Sequence, residues 1–429
     1  MKPLQNVKNS PLWWEEAPRP AVERQALPKT TDVAVIGSGF TGLSAALTAA
    51  RAGHSVTVFE AEVPGFGASS RNGGGTGSTP FKIKYSEAEA TLGRERAIRL
   101  YQEGFNSVTH LENLIEREQI RCHYARTGKY TGIHRASAEE GLKKEVGLLQ
   151  DRLGLEVEMV ARKDQHEHIG SDFYLGGRFN HRDGVVHPGL LHLGLLERAQ
   201  AAGAAVFGET PVLSVDAEGE HSVVRTKRGD VQAKKVVVGT NGYTGGAIPW
   251  LERRMIPVSS NIIATEELDP ALVQRLVPKQ NMIVDTKRTV HYYRASADGR
   301  RILMGGRPAM REAHWSVSAR MLYDFMVKVW PELEGVAVSH AWGGKLGFTF
   351  DKLPHIGEHQ GIHYAGGYLG SGVAMSNYLG HKMALQAIGA PEGETALDNR
   401  KFPTMPLYSG NPWFLTAVAA YYRLRDTYG

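Results

Sequence analysis

A single cysteine, Cys122, stands in 429 residues, so no internal disulfide can brace the chain and the disulfide-dense secreted scaffolds are excluded. Long apolar runs are missing too. The most apolar window, Val33 to Ala50, is broken by three glycines and several hydroxyl residues, which argues against a membrane span. The opening MKPLQNVKNSPLWWEEAPRP has acidic and proline residues where a secretory signal needs an apolar core, and the expected location is cytoplasmic. Lysine and arginine exceed acidic residues only by 50 to 45, with a pI near 9.0. They are scattered without interleaved aromatics, which argues against a nucleic-acid platform. Metal ligands are sparse: His166 and His168 flank Glu167 without a third ligand at helical spacing, so no metal is expected. Internal repeats and low-complexity segments are also lacking. With 42% hydrophobic residues, a chain of this length can bury a large core in two or three domains.

Glycine, by contrast, is plentiful, and its placement is informative. The β-branched run Thr31 to Ile36 ends at Gly37-Ser38-Gly39-Phe40-Thr41-Gly42, and the apolar spacing of LSAALTAARAG that follows is helical. Gly53 suits a left-handed helix stop, and Ser55 to Glu60 reads as a second strand. In such a β-α-β unit Gly37 permits the tight turn, Gly39 lets backbone N–H groups approach a pyrophosphate, and Gly42 lets the helix pack closely. Glu60, beside Ala61, lies eighteen positions after Gly42, close to the spacing of a carboxylate that accepts hydrogen bonds from ribose hydroxyls. Dinucleotide binding follows, through Gly37, Gly39, Phe40, Thr41, Gly42, Glu60 and Ala61.

NAD and FAD remain to be separated. The second strand runs directly into GFGASSRNGGG, residues 65–75, rather than into another helix. Bare backbone can line a planar ring and hydrogen-bond its heteroatoms, and Arg71 can place positive charge beside a ring that becomes anionic on reduction. The candidate flavin contacts are Gly67, Ala68, Ser69, Arg71, Asn72, Gly73 and Gly74. Taken together, VAVIGSGFTGLSAALTAARAGHSVTVFEAEVPGFGASSRNGG closely resembles the N-terminal signature of the FAD-dependent D-amino-acid-oxidase-like superfamily, in particular its γ-glutamylputrescine oxidase-like branch.

The resemblance extends along the chain. It implies an α/β fold: a Rossmann-like FAD-binding domain of the glutathione-reductase-2 kind and a second domain with an antiparallel sheet over the flavin. The expected division is an N-terminal arm at 1–29, an FAD-binding domain from 30–82, 185–245 and 338–390, a substrate domain from 83–184 and 246–337, and a tail at 391–429. The resemblance makes Val212 an adenine contact and places Thr240 and Gly242 at the end of a second flavin-binding strand. Gly370, Ser371, Gly372, Val373 and Ala374 then open a helix aimed at the flavin pyrimidine. Gly343 and Lys345 fall in a stretch that approaches the ring, where a lysine would assist the reaction with oxygen. Cys122 is far in sequence from the region where some relatives attach flavin to cysteine, so FAD without a cysteinyl bond is expected.

Helical spacing of Ile98, Tyr101, Phe105, Val108, Leu111 and Ile115, preceded by the capping-box pattern Ser86-Glu87-Ala88-Glu89, reads as one long amphipathic helix whose aromatics belong to the core. Ile256 to Ala264 and Thr289 to Met304 read as strands, the latter folding about Ala297-Asp298-Gly299. His291 and Tyr293 would share one strand face, Tyr292 and Arg294 the other. The family suggests that one of these faces walls the substrate pocket, and Tyr293, Lys345 and Arg71 are the catalytic candidates.

The resulting expectation is oxidation of a C–N bond of a primary or secondary amine by hydride transfer to flavin, with imine hydrolysis and reoxidation by oxygen or another acceptor. An amino-acid or cyclic imino-acid oxidase or dehydrogenase, and a flavin-binding protein without turnover, are the alternatives. Monomeric sarcosine oxidases hold a substrate carboxylate with a lysine where Ala374 stands here, which favours an amine with no α-carboxylate. Partners are limited to a small-molecule amine or amino acid and an electron acceptor, with an oligomer possible.

Overall fold

The computed structural model describes residues 3–22, 25–308, 310–311, 313–398 and 400–428. Two eight-stranded sheets organise the chain. In the first, strands Thr30–Ile36, Val56–Phe59, Ala205–Phe207, Gly229–Val238 and Ile362–Gly366 run parallel to one another, and antiparallel strands flank them at Gly229–Val238 and Ile362–Gly366. Their apolar runs are continuous because both faces are covered. Val33, Val35, Val56 and Val58 pack toward the helices, whereas Ala34, Ile36, Phe59 and Val236 pack into a separate cluster on the other side.

In the second sheet the order runs Val338–Phe348, Ile256–Thr265, Ile302–Gly306, His291–Ala295, Met282–Asp285, Lys129–Gly132, Gly177–Asn180 and Val157–Val160. All pairs are antiparallel except Met282–Asp285 with Lys129–Gly132. The hairpin foreseen at Asp298-Gly299 forms, with Gly299 at a φ of 68°. One face of this sheet is closed by the Trp315–Val329 helix. Tyr130, Ile283, Tyr293, Met304, Ile263 and Ala341 lie in the core beneath it.

The long amphipathic helix is two helices, Tyr85–Leu92 and Arg94–Arg117, broken at Gly93 with a φ of 80°. The capping box does not form. Ser86 is already helical, and the carboxylate of Glu145 accepts the Tyr85 N–H at 2.5 Å instead. The buried Tyr101 makes edge contacts with Phe81 and Tyr85, so these aromatics are core residues as expected.

Both ends of the chain pack on the body. Trp13 and Trp14 donate their indole N–H groups to Asn72 O and Ser70 Oγ of the glycine-rich loop, each at 2.8 Å. The Leu415–Tyr428 helix sets Leu415 and Ala419 against Ile256 and Val258. Among the described residues no helix is long and apolar enough to cross a membrane.

Candidate cofactor and active site

The turn after the first strand has the shape its glycines foretell. Gly37 adopts a φ of 96°, and a β-carbon on Gly42 would stand 1.8 Å from Gly37 O. The N-cap residue of the Phe40–Arg51 helix is Gly39, which has no side chain to cover the helix start, and the positive end of the helix favours an anion. The Phe40 N–H donates to Ser69 Oγ at 2.8 Å, tying the glycine-rich loop to the helix start. Glu60, at the end of the second strand, accepts from Ser38 N–H at 3.0 Å and Ser38 Oγ at 2.6 Å. A glycine turn, a helix start with glycine at its N-cap and a carboxylate one strand over are the donor and acceptor set of an adenine dinucleotide, so the residues present fit FAD.

A second helix start lies against the first. Gly370 has a φ of 90°, and the Gly372–Ala387 helix begins after Ser371 without a side-chain cap. A β-carbon on its Gly380 would meet Thr41 O at 2.2 Å, while Tyr368 Oη and Thr41 Oγ1 are hydrogen-bonded at 2.7 Å. Thr240 and Gly242 join this group. A β-carbon on Gly37 would lie 3.3 Å from Thr240 Cγ2, and one on Gly242 would lie 2.6 Å from the Leu346 carbonyl carbon. Val212 opens the Val212–Glu218 strand, packed at the edge of the apolar cluster holding Ile36 and Phe59. Ala61 is exposed beside Glu60.

Gly67, Ala68, Ser69 and Asn72 form a tight turn in which Asn72 donates to Ala68 O and Ser69 O and accepts from the Gly74 N–H. Arg71 is mostly buried. It donates to Phe66 O and, at 3.2 Å, to Gly343 O, and its guanidinium lies 4.6 Å from the Trp14 ring centre and 4.4 Å from that of Phe66. Burial lowers its pKa below the usual arginine value, yet it stays cationic at neutral pH. Arg71 thus joins the loop to the second sheet.

Three expectations are corrected. Tyr293 does not wall a pocket: it is 1% exposed, donates to Tyr174 Oη and packs edge-on to Trp330 in the core. Its neighbour Tyr292 takes the face toward the loop, where a β-carbon on Gly73 would lie 2.9 Å from its ring. Tyr292 Oη meets Ser260 Oγ at 3.0 Å, and burial raises its pKa, so it keeps its proton at neutral pH. Lys345 is exposed and shares a strand face with Ala341 of the core, not with Trp342 and Gly344, which turn to Arg71. Ala374 is 1% exposed and packed in the core under the first sheet, in the first turn of the Gly372–Ala387 helix.

Arg294 lies on the face of Tyr292. Its guanidinium donates to Ala295 O at 2.9 Å and Val186 O at 3.0 Å, and burial draws its pKa down to about 10. Sequence reading missed a group of cations near this face, Lys82, Lys129, Arg178 and Arg307, which sit on four separate segments of the chain. Single lysines and arginines carry no motif, so no local signal marks them. The two histidines set aside as ligands are placed apart: His166 pairs with Asp172, and His168 stacks on Tyr130. Cys122 is buried, which pushes its thiol up to about 12. A groove of about 860 Å³ lined by His166, Ser171, Phe173 and Arg275 contains none of the glycine turns and takes no part in the site.

Comparisons with known proteins agree with this geometry. Residues 32–386 match the model of the DAO family, described as FAD dependent oxidoreductase. The chain is 32% identical to a probable oxidoreductase OrdL of Rhizobium meliloti, with 97% of both chains covered. It is also 32% identical to the gamma-glutamylputrescine oxidoreductase of Escherichia coli, covering 93% of this chain and 94% of that one. Among solved structures, glycine oxidase from Geobacillus kaustophilus superposes with a TM-score of 0.74 at 21% identity, over 88% of this chain and 99% of that one.

Proposed function

The chain belongs to the FAD dependent oxidoreductase family, and on that footing we propose that it oxidises the C–N bond of a primary or secondary amine. The carbon α to nitrogen loses a hydride, the nitrogen lone pair closes a C=N bond, a proton leaves the nitrogen, and water then hydrolyses the imine to a carbonyl compound and ammonia, or an amine where the substrate is secondary. When bound, FAD supplies the acceptor for that hydride. Electrons then pass to oxygen. The cofactor is held without a cysteinyl bond, in keeping with the buried, protonated thiol of Cys122, and the protein works in the cytoplasm.

The observation that carries this reading is a dinucleotide turn joined to a glycine-rich loop against which the second sheet presents Tyr292, in a chain similar along its length to gamma-glutamylputrescine oxidoreductase. Hydride loss from an amine needs alignment rather than covalent attack. Tyr292, held by Ser260, provides a neutral hydroxyl and a ring wall beside Gly73. Arg71 positions the loop against Gly343 and adds fixed positive charge on that side. The segments 30–82, 185–245 and 338–390 serve the cofactor, and 83–184 with 246–337 serve the substrate.

The test is anaerobic mixing of the yellow holoenzyme with diamines and their mono-acyl derivatives, matched against α-amino acids of similar size. Faster bleaching of the flavin by the amines supports the reading. Faster bleaching by the acids transfers the protein to amino-acid oxidation, and no bleaching by any of them removes C–N oxidation.

A further inference from the structure

The arm before the first strand reaches the glycine-rich loop by way of the second sheet. Its backbone pairs with that sheet's edge strand, Val338–Phe348: Lys8 N–H donates to Ser339 O at 2.9 Å, and Ala341 N–H donates to Lys8 O at 3.0 Å. The short helix Trp13–Glu16 then meets the loop with its two rings, while its two acids engage other groups. Glu15 meets Lys8 Nζ and His340 Nε2, and a Glu16 carboxylate oxygen lies 3.8 Å from His187 Nε2. Trp13 fills the core, whereas Trp14 is only partly buried. What Trp14 meets is a cation.

Arg71 lies where arm, loop and sheet converge. Its guanidinium carbon stands over the faces of two rings, 4.6 Å from the centre of Trp14 and 4.4 Å from that of Phe66. Its Nε donates to Phe66 O and its Nη1 to Gly343 O, while its own carbonyl accepts the Trp342 indole N–H at 2.7 Å. The aliphatic stem runs beside Gly344, where a β-carbon would lie 3.8 Å from Arg71 Cβ and Cδ. The Trp14 ring is fixed in turn: its N–H donates to Ser70 Oγ, which donates to Gly65 O, and the Arg19 guanidinium stands 5.8 Å from its centre. Arg51 and Arg400 pair with Glu118 and Asp351, but among the described residues no carboxylate pairs with Arg71. A half-buried cation answered only by rings and carbonyls is poised for negative charge arriving beside it.

We propose that Trp14 is a positioning residue: its indole holds the Arg71 guanidinium in one orientation, so that the positive charge stays fixed beside the flavin as the ring gains electrons. The inference rests on the flavin reading above and gives the N-terminal arm a part in it. An aromatic ring suits this task. An acid at position 14 would neutralise the guanidinium, and an aliphatic side chain would leave one of its faces open to water, which screens the charge and lets the planar fork swing to other acceptors. Because Trp14 acts through a charge, its removal shifts the potential of the bound flavin, a quantity that lost stability alone does not move.

The measurement is the two-electron midpoint potential of the holoenzyme flavin, read against a reference dye with no amine present, so it does not depend on which substrate the enzyme oxidises. Arg71→Met is expected to lower the reduced-to-oxidised ratio at a fixed potential about tenfold, equivalent to ~30 mV for a two-electron couple. Trp14→Leu lowers it about threefold, and Trp14→Phe, which keeps a ring without the N–H, restores it to within about 1.5-fold of the wild type. Placed in the Arg71→Met background, Trp14→Leu adds less than about 1.5-fold further change, because the charge it positioned is gone. FAD content and Tm are recorded for each variant, and Trp14→Met and Arg71→Gln stand in where a first replacement empties the site. A potential moved by the Arg71 variant but not by the aliphatic Trp14 variant, or a Trp14 shift of equal size with and without Arg71, overturns the positioning role. Loss of FAD from both aliphatic Trp14 variants while an Arg71 variant stays yellow does the same, since the indole would then serve the fold and not Arg71. A potential unmoved by the Arg71 variant also overturns it, and removes the fixed charge from the flavin reading while leaving amine oxidation in place.

Discussion

At the scale of single residues, the site depends on contacts that leave no room for a methyl group. A Gly42→Ala β-carbon would stand 1.8 Å from a backbone oxygen that cannot turn aside, so the helix must shift off the turn. Purified Gly42→Ala is expected to lose most of its flavin absorbance per protein. Tyr292 and Tyr293 separate two roles in adjacent positions. Tyr293→Phe removes a buried hydroxyl contact to Tyr174 and should cost about 1 kcal/mol of stability with little change in flavin reduction. Tyr292→Phe should slow reduction by amine several-fold while leaving the Tm nearly unchanged.

At the scale of elements, the arm before the first strand is a strap that holds the glycine-rich loop. Trp13 is 1% exposed, donates to Asn72 O and packs edge-on to Trp342. Trp13→Ala should cost about 3–5 kcal/mol, the range for removing a buried aromatic, and should also raise the Kd for FAD, because the loop loses one of its anchors. Thermal melts with and without added FAD separate the two effects. The break at Gly93 and the cap supplied by Glu145 show where sequence spacing reaches its limit. Ser86 and Glu89 have the right interval for a local cap, but a carboxylate on a distant helix reaches the same backbone N–H groups. Spacing within a segment carries no information about a competitor from elsewhere in the chain.

At the scale of the whole molecule, the residues proposed to hold the cofactor come from segments more than 300 positions apart, from Gly37 to Ser371. Occupancy of such a site stabilises the folded state over the unfolded one, which has no site to bind to. Removing FAD should therefore lower the Tm, and restoring it at about 100 times its Kd should recover roughly 2.7 kcal/mol. The turn at Gly37–Gly42, Glu60, the glycine-rich loop and the alternation of His291 to Arg294 were all legible because they are local. A strand's period of two and a helix start after glycine are properties of a dozen consecutive residues, enforced by backbone sterics wherever the segment lies. The same local rules could not say which face of the His291–Ala295 strand meets the loop, nor to which face Lys345 belongs, nor that Ala374 is sealed in the core. Those outcomes depend on which sheet face a distant helix covers. The cation cluster was beyond reach for the same reason. Lys82, Lys129, Arg178 and Arg307 are unremarkable alone, and only the pairing of strands and the return of loops brings them near one another.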